Sequence, residues 1–187
     1  MKQGLEIDRE LIERCKQKDV IAQGEVYRLF APRMYGVCLR FSGNTLEADD
    51  FLQEGFLRVF NQMSSFRHEG SFEGWIRRII INTAINLVKR EMKYVTTDKP
   101  ESYDSPENSD ISALSRLSHQ ELLASIRQLP AGYRTVFNLY VIEGYTHKEI
   151  AQMLEISENT SKSQLFAAKR SLRKGLTKLG YGDGREG

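Results

Sequence analysis

The feature that most constrains the fold of this chain is a pair of capped helical patterns in residues 146–179. Thr146 and Glu149 have the spacing of a capping box, which predicts the start of a short helix. Residues 155–156 form a tight turn, and Ser157 has the position of an N-cap for a longer helix. A short helix, a turn and a longer helix form the helix-turn-helix arrangement, which places the start of its second helix in a DNA major groove.

The second helix of this motif has an apolar face and a polar face. Its apolar residues recur at steps of three and four, which predicts a buried stripe of Leu165, Ala168, Leu172, Leu176 and Leu179. Side chains that can contact base edges lie near its N-terminal end, namely Asn159, Lys162, Ser163 and Phe166. Basic side chains that suit phosphates follow, namely Lys169, Arg170, Arg173, Lys174 and Lys178. A solvated basic helix that closes an ordinary helical bundle would have the same pattern and is the alternative.

Length and composition limit the class of protein. A chain of 187 residues, 40% of them hydrophobic, can form one domain or two small ones. No apolar run is long enough to span a bilayer, and the N-terminal residues show no secretory signal. Cys15 and Cys38 favour a reducing compartment rather than a disulfide framework. We therefore expect a cytoplasmic protein.

The distribution of charge indicates a domain boundary. The net charge is only +2, but residues 116–187 hold eleven Lys or Arg against seven acids. Residues 96–115 hold one Lys against five acids, with two prolines and almost no apolar residues. Such a segment cannot bury enough apolar surface to become ordered, so it is predicted to be a flexible acidic linker. We expect two domains, formed by residues 1–95 and 116–187.

The N-terminal half has helical spacing throughout, and no segment alternates as a strand would. Helices are predicted over residues 9–18, over the apolar stripe from Val26 to Phe41, and from Thr45 or Leu46 to Met63. After a loop over residues 64–71, another helix is predicted from Phe72 or Glu73 to Glu91. Its inward residues are predicted to be Trp75, Ile76, Ile79, Ile80, Ala84, Leu87 and Val88. The predicted fold is all-α.

One of these helices begins with polar residues that a plain bundle does not need. Asp49, Gln53 and Glu54 lie close to one helix face, opposite much of the apolar stripe. This pattern fits an interaction surface. Acids near a helix start also favour the helix dipole, so stabilisation and solubility are the alternative explanation.

The loop and the helix that follow carry residues suited to single-stranded nucleic acid. Phe66 and Arg67 place an aromatic ring beside a cation in a segment expected to be exposed, which suits stacking on unpaired bases. The alternative is that Phe66 plugs the end of the bundle. Further along lie residues that could follow a strand or read a base edge: Arg77, Arg78, Asn82, Asn86, Lys89 and Arg90. Trp75 by itself is more often a core residue than a stacking platform.

These motifs, in this order, resemble the bacterial sigma factors of the extracytoplasmic-function group, the minimal two-domain members of the sigma-70 family. The resemblance covers nearly the whole chain beyond residue 20. It rests on residues 48–56, 66–67, 72–76 and 81–84 in the first half, and on residues 129–134, 144–151 and 156–163 in the second half.

The resemblance implies a role for each set of residues. Residues 1–95 would be sigma region 2 and residues 116–187 sigma region 4. Docking on a coiled coil of the RNA polymerase β′ subunit is implied for Asp49, Asp50, Gln53 and Glu54. Contact with the melted −10 element is implied for Phe66, Arg67, Trp75, Arg77, Arg78 and Asn82. Contact with the −35 element is implied for Asn159, Thr160, Lys162, Ser163, Gln164, Phe166, Lys169 and Arg170.

The resemblance also implies partners but no chemistry of the chain's own. The partners would be the β′ and β subunits of core RNA polymerase, promoter DNA and an anti-sigma factor, with no small-molecule substrate. We expect no catalytic residue, cofactor or metal, because the three histidines lack metal-ligand spacing with the cysteines or acids and no nucleophile or Gly-rich phosphate motif occurs. The rival interpretations are a conventional helix-turn-helix repressor, an enzyme, and an interaction module whose DNA contacts have decayed.

Three positions depart from the family's usual residues. The family often has Arg where Ala167 stands, and many members have Val where Ser161 stands and Asp where Asn86 stands. These departures suggest a subgroup with its own promoter sequence.

Overall fold

A computed structural model describes residues 7–94 and 119–178 of the chain. Within these two ranges every regular element is helical, which confirms the all-α prediction. The chain divides into two compact units, Met1–Leu87 and Val88–Gly187. The predicted linker of residues 96–115 lies outside the described residues, and the predicted domain boundaries stay a prediction.

The first unit contains three helices that are joined by short connections, and the start of a fourth helix. They are α1 (Arg9–Lys16), α2 (Val20–Phe41), α3 (Thr45–Asn61) and α4 (Phe72–Tyr94), with a 3₁₀ turn at Met63–Ser65. Side-chain caps begin α2 and α3: Asp19 accepts from the Ile21 and Ala22 amides, and Asn44 accepts from the Glu47 amide. The prediction for α1 was two residues too long, because Lys18 adopts a left-handed conformation with φ 63°.

The core of this unit forms where the apolar faces of the helices meet. Its fully buried residues include Val26, Phe30, Met34, Phe41, Ile76 and Ile80, as the helical spacing predicted. Leu29 lies within the stripe predicted from Val26 to Phe41 but is exposed, so the prediction is wrong at this residue. Helix α3 approaches α4 closely at Gly55, where a Cβ atom would force the Cδ1 atom of Ile80 to shift.

The second unit contains the helix-turn-helix. Its helices are α5 (His119–Arg127), α6 (Ala131–Phe137), α7 (His147–Leu154) and α8 (Glu158–Lys178), with a π-helical segment at Asn138–Ile142 after α6. The buried stripe of α8 is confirmed at Leu165, Ala168, Leu172 and Leu176, whereas Leu179 lies outside the described residues.

The caps of the helix-turn-helix form as predicted. Both hydrogen bonds of the Thr146–Glu149 capping box are present at the start of α7. Glu155 ends α7 in the left-handed region with φ 57°, and the Ser157 hydroxyl accepts from the Thr160 amide at 2.9 Å. These local bonds fix where the turn lies and where α8 begins.

Candidate functional site

The polar start of α3 presents an accessible face. Asp49, Asp50 and Gln53 are exposed, while Glu54 is half-buried and pairs with Arg58 at 3.0 Å. Residues of this face recur at steps of three and four: Leu46, Asp50, Gln53 and Leu57. Leu46 is 76% exposed and Leu57 is 54% exposed. The sequence prediction missed these two leucines, although their spacing from Asp50 and Gln53 could have revealed them.

The prediction that Phe66 is an exposed stacking platform is wrong for this conformation. Phe66 is 4% exposed, and its ring lies 5.0 Å from Phe72 and 5.3 Å from Trp75 between centroids. The ring fills the end of the bundle because the 3₁₀ turn and the start of α4 bring these aromatic residues together. Arg67, the next residue, has an exposed side chain.

Beyond Arg67 the loop is tied to α1. The Nε2 atom of His68 lies 2.9 Å from the Oε1 atom of Glu13 and 3.3 Å from the Nζ atom of Lys16. His68 itself has a left-handed backbone with φ 59°. The sequence does not indicate this contact, because both partners lie more than fifty positions from His68 in the chain.

One face of α4 carries the polar residues predicted for the −10 element. Arg78, Asn82 and Asn86 are exposed at steps of four, so they share one face. Arg77 and Trp75 are half-buried. The indole of Trp75 stacks on Phe72, with the centroids 5.8 Å apart and the planes 16° apart. Trp75 therefore belongs partly to the aromatic cluster that it forms with Phe66 and Phe72, and only partly to the surface.

The residues predicted to read the −35 element differ in their solvent exposure. Asn159, Lys162 and Arg170 are exposed, whereas the other five predicted residues are half-buried: Thr160, Ser163, Gln164, Phe166 and Lys169. The Thr160 hydroxyl hydrogen-bonds with that of Ser157 at 2.8 Å, and the Ser163 hydroxyl donates to the Thr160 carbonyl at 3.0 Å. The two hydroxyls thus have partners within the first turns of α8.

A polar contact that the sequence did not predict joins α7 to α8. Ser161 is 0% exposed, and its Oγ atom lies 2.9 Å from the Nδ1 atom of His147. The His147 ring stacks on Tyr140, with centroids 4.4 Å apart. Partial burial of the imidazole lowers the pKa of His147, and the positive charges of Lys162 and Lys169 lower that pKa further.

Neither cysteine is placed for chemistry. Both thiols are buried, and burial raises the pKa of Cys15 to about 11 and that of Cys38 to about 12. Among residues 7–94 and 119–178, no group of His, Cys, Asp and Glu side chains is arranged to hold a metal ion. In the same ranges, no helix is both long and apolar enough to cross a membrane.

Comparison with known families agrees with this geometry. The family model for Sigma-70 region 2 matches residues 26–94, and the model for Sigma-70, region 4 matches residues 119–172. The first match contains α3, the Phe66 loop and α4, and the second contains α7 and residues 158–172 of α8.

Individual relatives extend the match over most of the chain. The ECF RNA polymerase sigma factor SigE of Mycolicibacterium smegmatis is 34% identical over 159 residues, which cover 82% of this chain and 61% of that protein. The RNA polymerase sigma-H factor of Pseudomonas aeruginosa is 30% identical over 185 residues, which cover 93% of this chain and 96% of that protein.

A solved structure shares the fold. The sigma factor RpoE from Bartonella quintana, in complex with the anti-sigma factor NepR, superposes with a TM-score of 0.50 at 17% identity. The alignment covers 82% of this chain and 96% of that one.

The matches to both family models and to these relatives show that the chain belongs to the sigma-70 family of RNA polymerase sigma factors, within its extracytoplasmic-function group. Proteins of this class are initiation factors, which act in promoter recognition and transcription initiation with RNA polymerase.

Proposed function

We propose that three surfaces of the chain divide the work of a sigma factor. The exposed face of α3, with Asp49, Asp50, Gln53 and Glu54, docks on the β′ subunit of core RNA polymerase. Leu46 and Leu57 flank this face and supply apolar area that a polymerase helix would cover.

The −35 element is read by the N-terminal part of α8. The observation that carries this assignment is the capped helix-turn-helix, whose second helix buries one face and exposes Asn159 and Lys162 on the other. Lys162 donates to a base edge, and Lys169 and Arg170 neutralise phosphates. Because the Thr160 and Ser163 hydroxyls have partners within the helix, we assign these two residues mainly to shaping the helix start.

The −10 element is held by the loop and by α4. Arg67 contacts the backbone of the melted strand, while Arg78 and Asn82 lie along the exposed face of α4 and follow that strand. Trp75 is half-buried and offers the exposed part of its side chain. Phe66 supports the loop from the core, because its buried ring packs against Phe72 and Trp75.

We further propose that the chain acts in the cytoplasm, carries out no catalysis of its own and binds no cofactor, metal or small-molecule substrate. Nucleotide addition belongs to the core polymerase. The family relationship supports an anti-sigma factor as a further partner, since the Bartonella quintana sigma factor was solved with one.

The deciding experiment reconstitutes the full chain with core RNA polymerase on a pool of genomic promoter fragments. RNA 5′ ends should appear at defined sites that core polymerase alone does not use. A matched variant, Asp50→Asn with Gln53→Ala, should lose these starts together with polymerase binding. Unchanged start sites with the wild-type chain would disprove the proposal, and dimeric binding to a palindrome would favour a repressor.

A further inference from the structure

Helix α1 has no role in the surfaces assigned above. The match to region 2 begins at residue 26, so α1 (Arg9–Lys16) lies outside it. Leu11, Ile12 and Cys15 are buried, and α1 packs against both α2 and the 3₁₀ turn at Met63–Ser65. The helix therefore meets the bundle at the point where the Phe66 loop begins.

A polar contact continues this packing into the loop. Glu13 lies one turn before Lys16 on the same side of α1, and the two side chains pair at 2.8 Å. The Oε1 atom of Glu13 also lies 2.9 Å from the Nε2 atom of His68. One carboxylate of α1 thus holds the side chain that directly follows Arg67.

His68 passes this restraint to the aromatic cluster. Its φ of 59° is a backbone conformation that few non-glycine residues adopt, and contacts with the surroundings help to hold it. The imidazole lies 5.0 Å from the Phe66 ring, and Phe66 lies 5.3 Å from the ring of Trp75. Contacts therefore run without a break from Glu13 through His68 and Phe66 to Trp75.

We propose that Glu13 is a positioning residue for promoter opening, and that through His68 it holds the loop in the shape that presents Arg67 to the melted strand. This inference rests on the proposed role of the loop at the −10 element. It gives α1 a function: the helix braces a DNA-contacting loop and touches no DNA itself.

The first test uses the free full chain and needs no polymerase. Trp75 is the only tryptophan in the chain, so its fluorescence reports on the aromatic cluster. Glu13→Gln and His68→Asn should each raise the acrylamide quenching of Trp75, since Asn tolerates the left-handed backbone but lacks the imidazole. The double variant should be quenched no more than His68→Asn alone, because Glu13 acts on the aromatic rings only through His68.

The matched control is Glu10→Gln, which removes an equal charge from an exposed position on the same helix. It should leave Trp75 quenching at the wild-type value. Thermal unfolding of all variants verifies that the chain remains folded. Equal quenching of wild type, Glu13→Gln and His68→Asn would overturn the inference.

The second test uses the reconstituted polymerase holoenzyme and measures promoter opening by permanganate reactivity of unpaired thymines. Glu13→Gln and His68→Asn should slow opening about two- to fivefold, which corresponds to the loss of one partly exposed hydrogen bond. Polymerase affinity and −35 duplex binding should stay unchanged, a split that general destabilisation would not produce. Opening at the wild-type rate despite altered quenching would overturn the positioning role. A wild-type holoenzyme that starts RNA at no defined site would instead disprove the proposed function, and the quenching result would still stand.

Discussion

The Nδ1 atom of His147 lies 2.9 Å from the Oγ atom of Ser161, which joins the first residue of α7 to a fully buried position of α8. The two helices of the DNA-reading motif are thus held by a polar bond as well as by apolar packing. A valine at position 161 would offer His147 no hydrogen-bond partner.

Ser161→Ala should loosen the helix-turn-helix. The change removes one partner of a bond at a buried position, so the opening free energy of α7 and α8 should fall by about 1–2 kcal/mol. Hydrogen exchange of the α7 and α8 amides in the full chain measures this directly. Ser163→Ala on the same helix is the control, and its half-buried hydroxyl should matter less. Equal effects of the two changes would contradict the assigned role of the buried bond.

His147 should titrate below its ordinary pKa of 6.5, mainly because its ring is partly buried and next because Lys162 is nearby. Lys162→Gln should raise the pKa of His147 part of the way, since burial remains. Lys148→Gln is the control, as Lys148 is not among the charges that lower the pKa. Proton NMR of the histidine rings in the full chain gives the values, and a lower pKa in Lys162→Gln would contradict the charge argument.

The same shift fixes how stability depends on pH. Because the folded pKa lies below that of the unfolded chain, the unfolded chain binds more protons in the window between the two values. The contribution of His147 to stability is therefore complete above about pH 6.5 and is lost as pH falls through the folded pKa. His147→Gln should flatten this part of the stability profile of α7 and α8, as measured by hydrogen exchange.

Substitutions of Phe66 and Arg67 should differ in their effects on stability and on promoter opening. Phe66→Ala empties a buried site and should lower the free energy of unfolding by about 3 kcal/mol or more. Arg67→Ala changes an exposed side chain, so it should leave thermal unfolding within about 0.5 kcal/mol of wild type but impair opening. Thermal unfolding and permanganate reactivity measure the two effects. If Phe66→Ala is as stable as wild type and opens poorly, the Phe66 ring contributes nothing to the core and acts on the DNA instead.

Lys162 should discriminate between promoter sequences. Lys162→Ala should weaken holoenzyme binding to the preferred −35 element by about 1–3 kcal/mol, and less at an element altered at the contacted base. Lys174→Ala, further along α8, is the matched control: it should weaken all sequences alike and reduce the salt dependence. Binding titrations against a set of −35 variants separate the two outcomes. Complete additivity of Lys162→Ala with every base change would show that Lys162 contacts no base.

Local features of the chain were predicted well because their causes lie within a few residues. The Thr146–Glu149 capping box, the Ser157 cap and the stripe from Leu165 to Leu176 all appear in the structure as the spacing indicated. The candidate site was predicted only in part. Exposure was right for Asp49, Gln53 and Lys162, for example, because these polar residues fall away from apolar stripes whose burial the helical period dictates.

The sequence by itself determined the helices, their caps, the helix-turn-helix and the family to which the chain belongs, because helical period and capping act over one or two turns. Tertiary structure alone decided that Phe66 turns inward, that His68 reaches Glu13 and that His147 bonds to Ser161. Each of these contacts joins separate elements of the fold. Whether these contacts form depends on how whole helices pack, and no local pattern of residues encodes the distance between two separate elements.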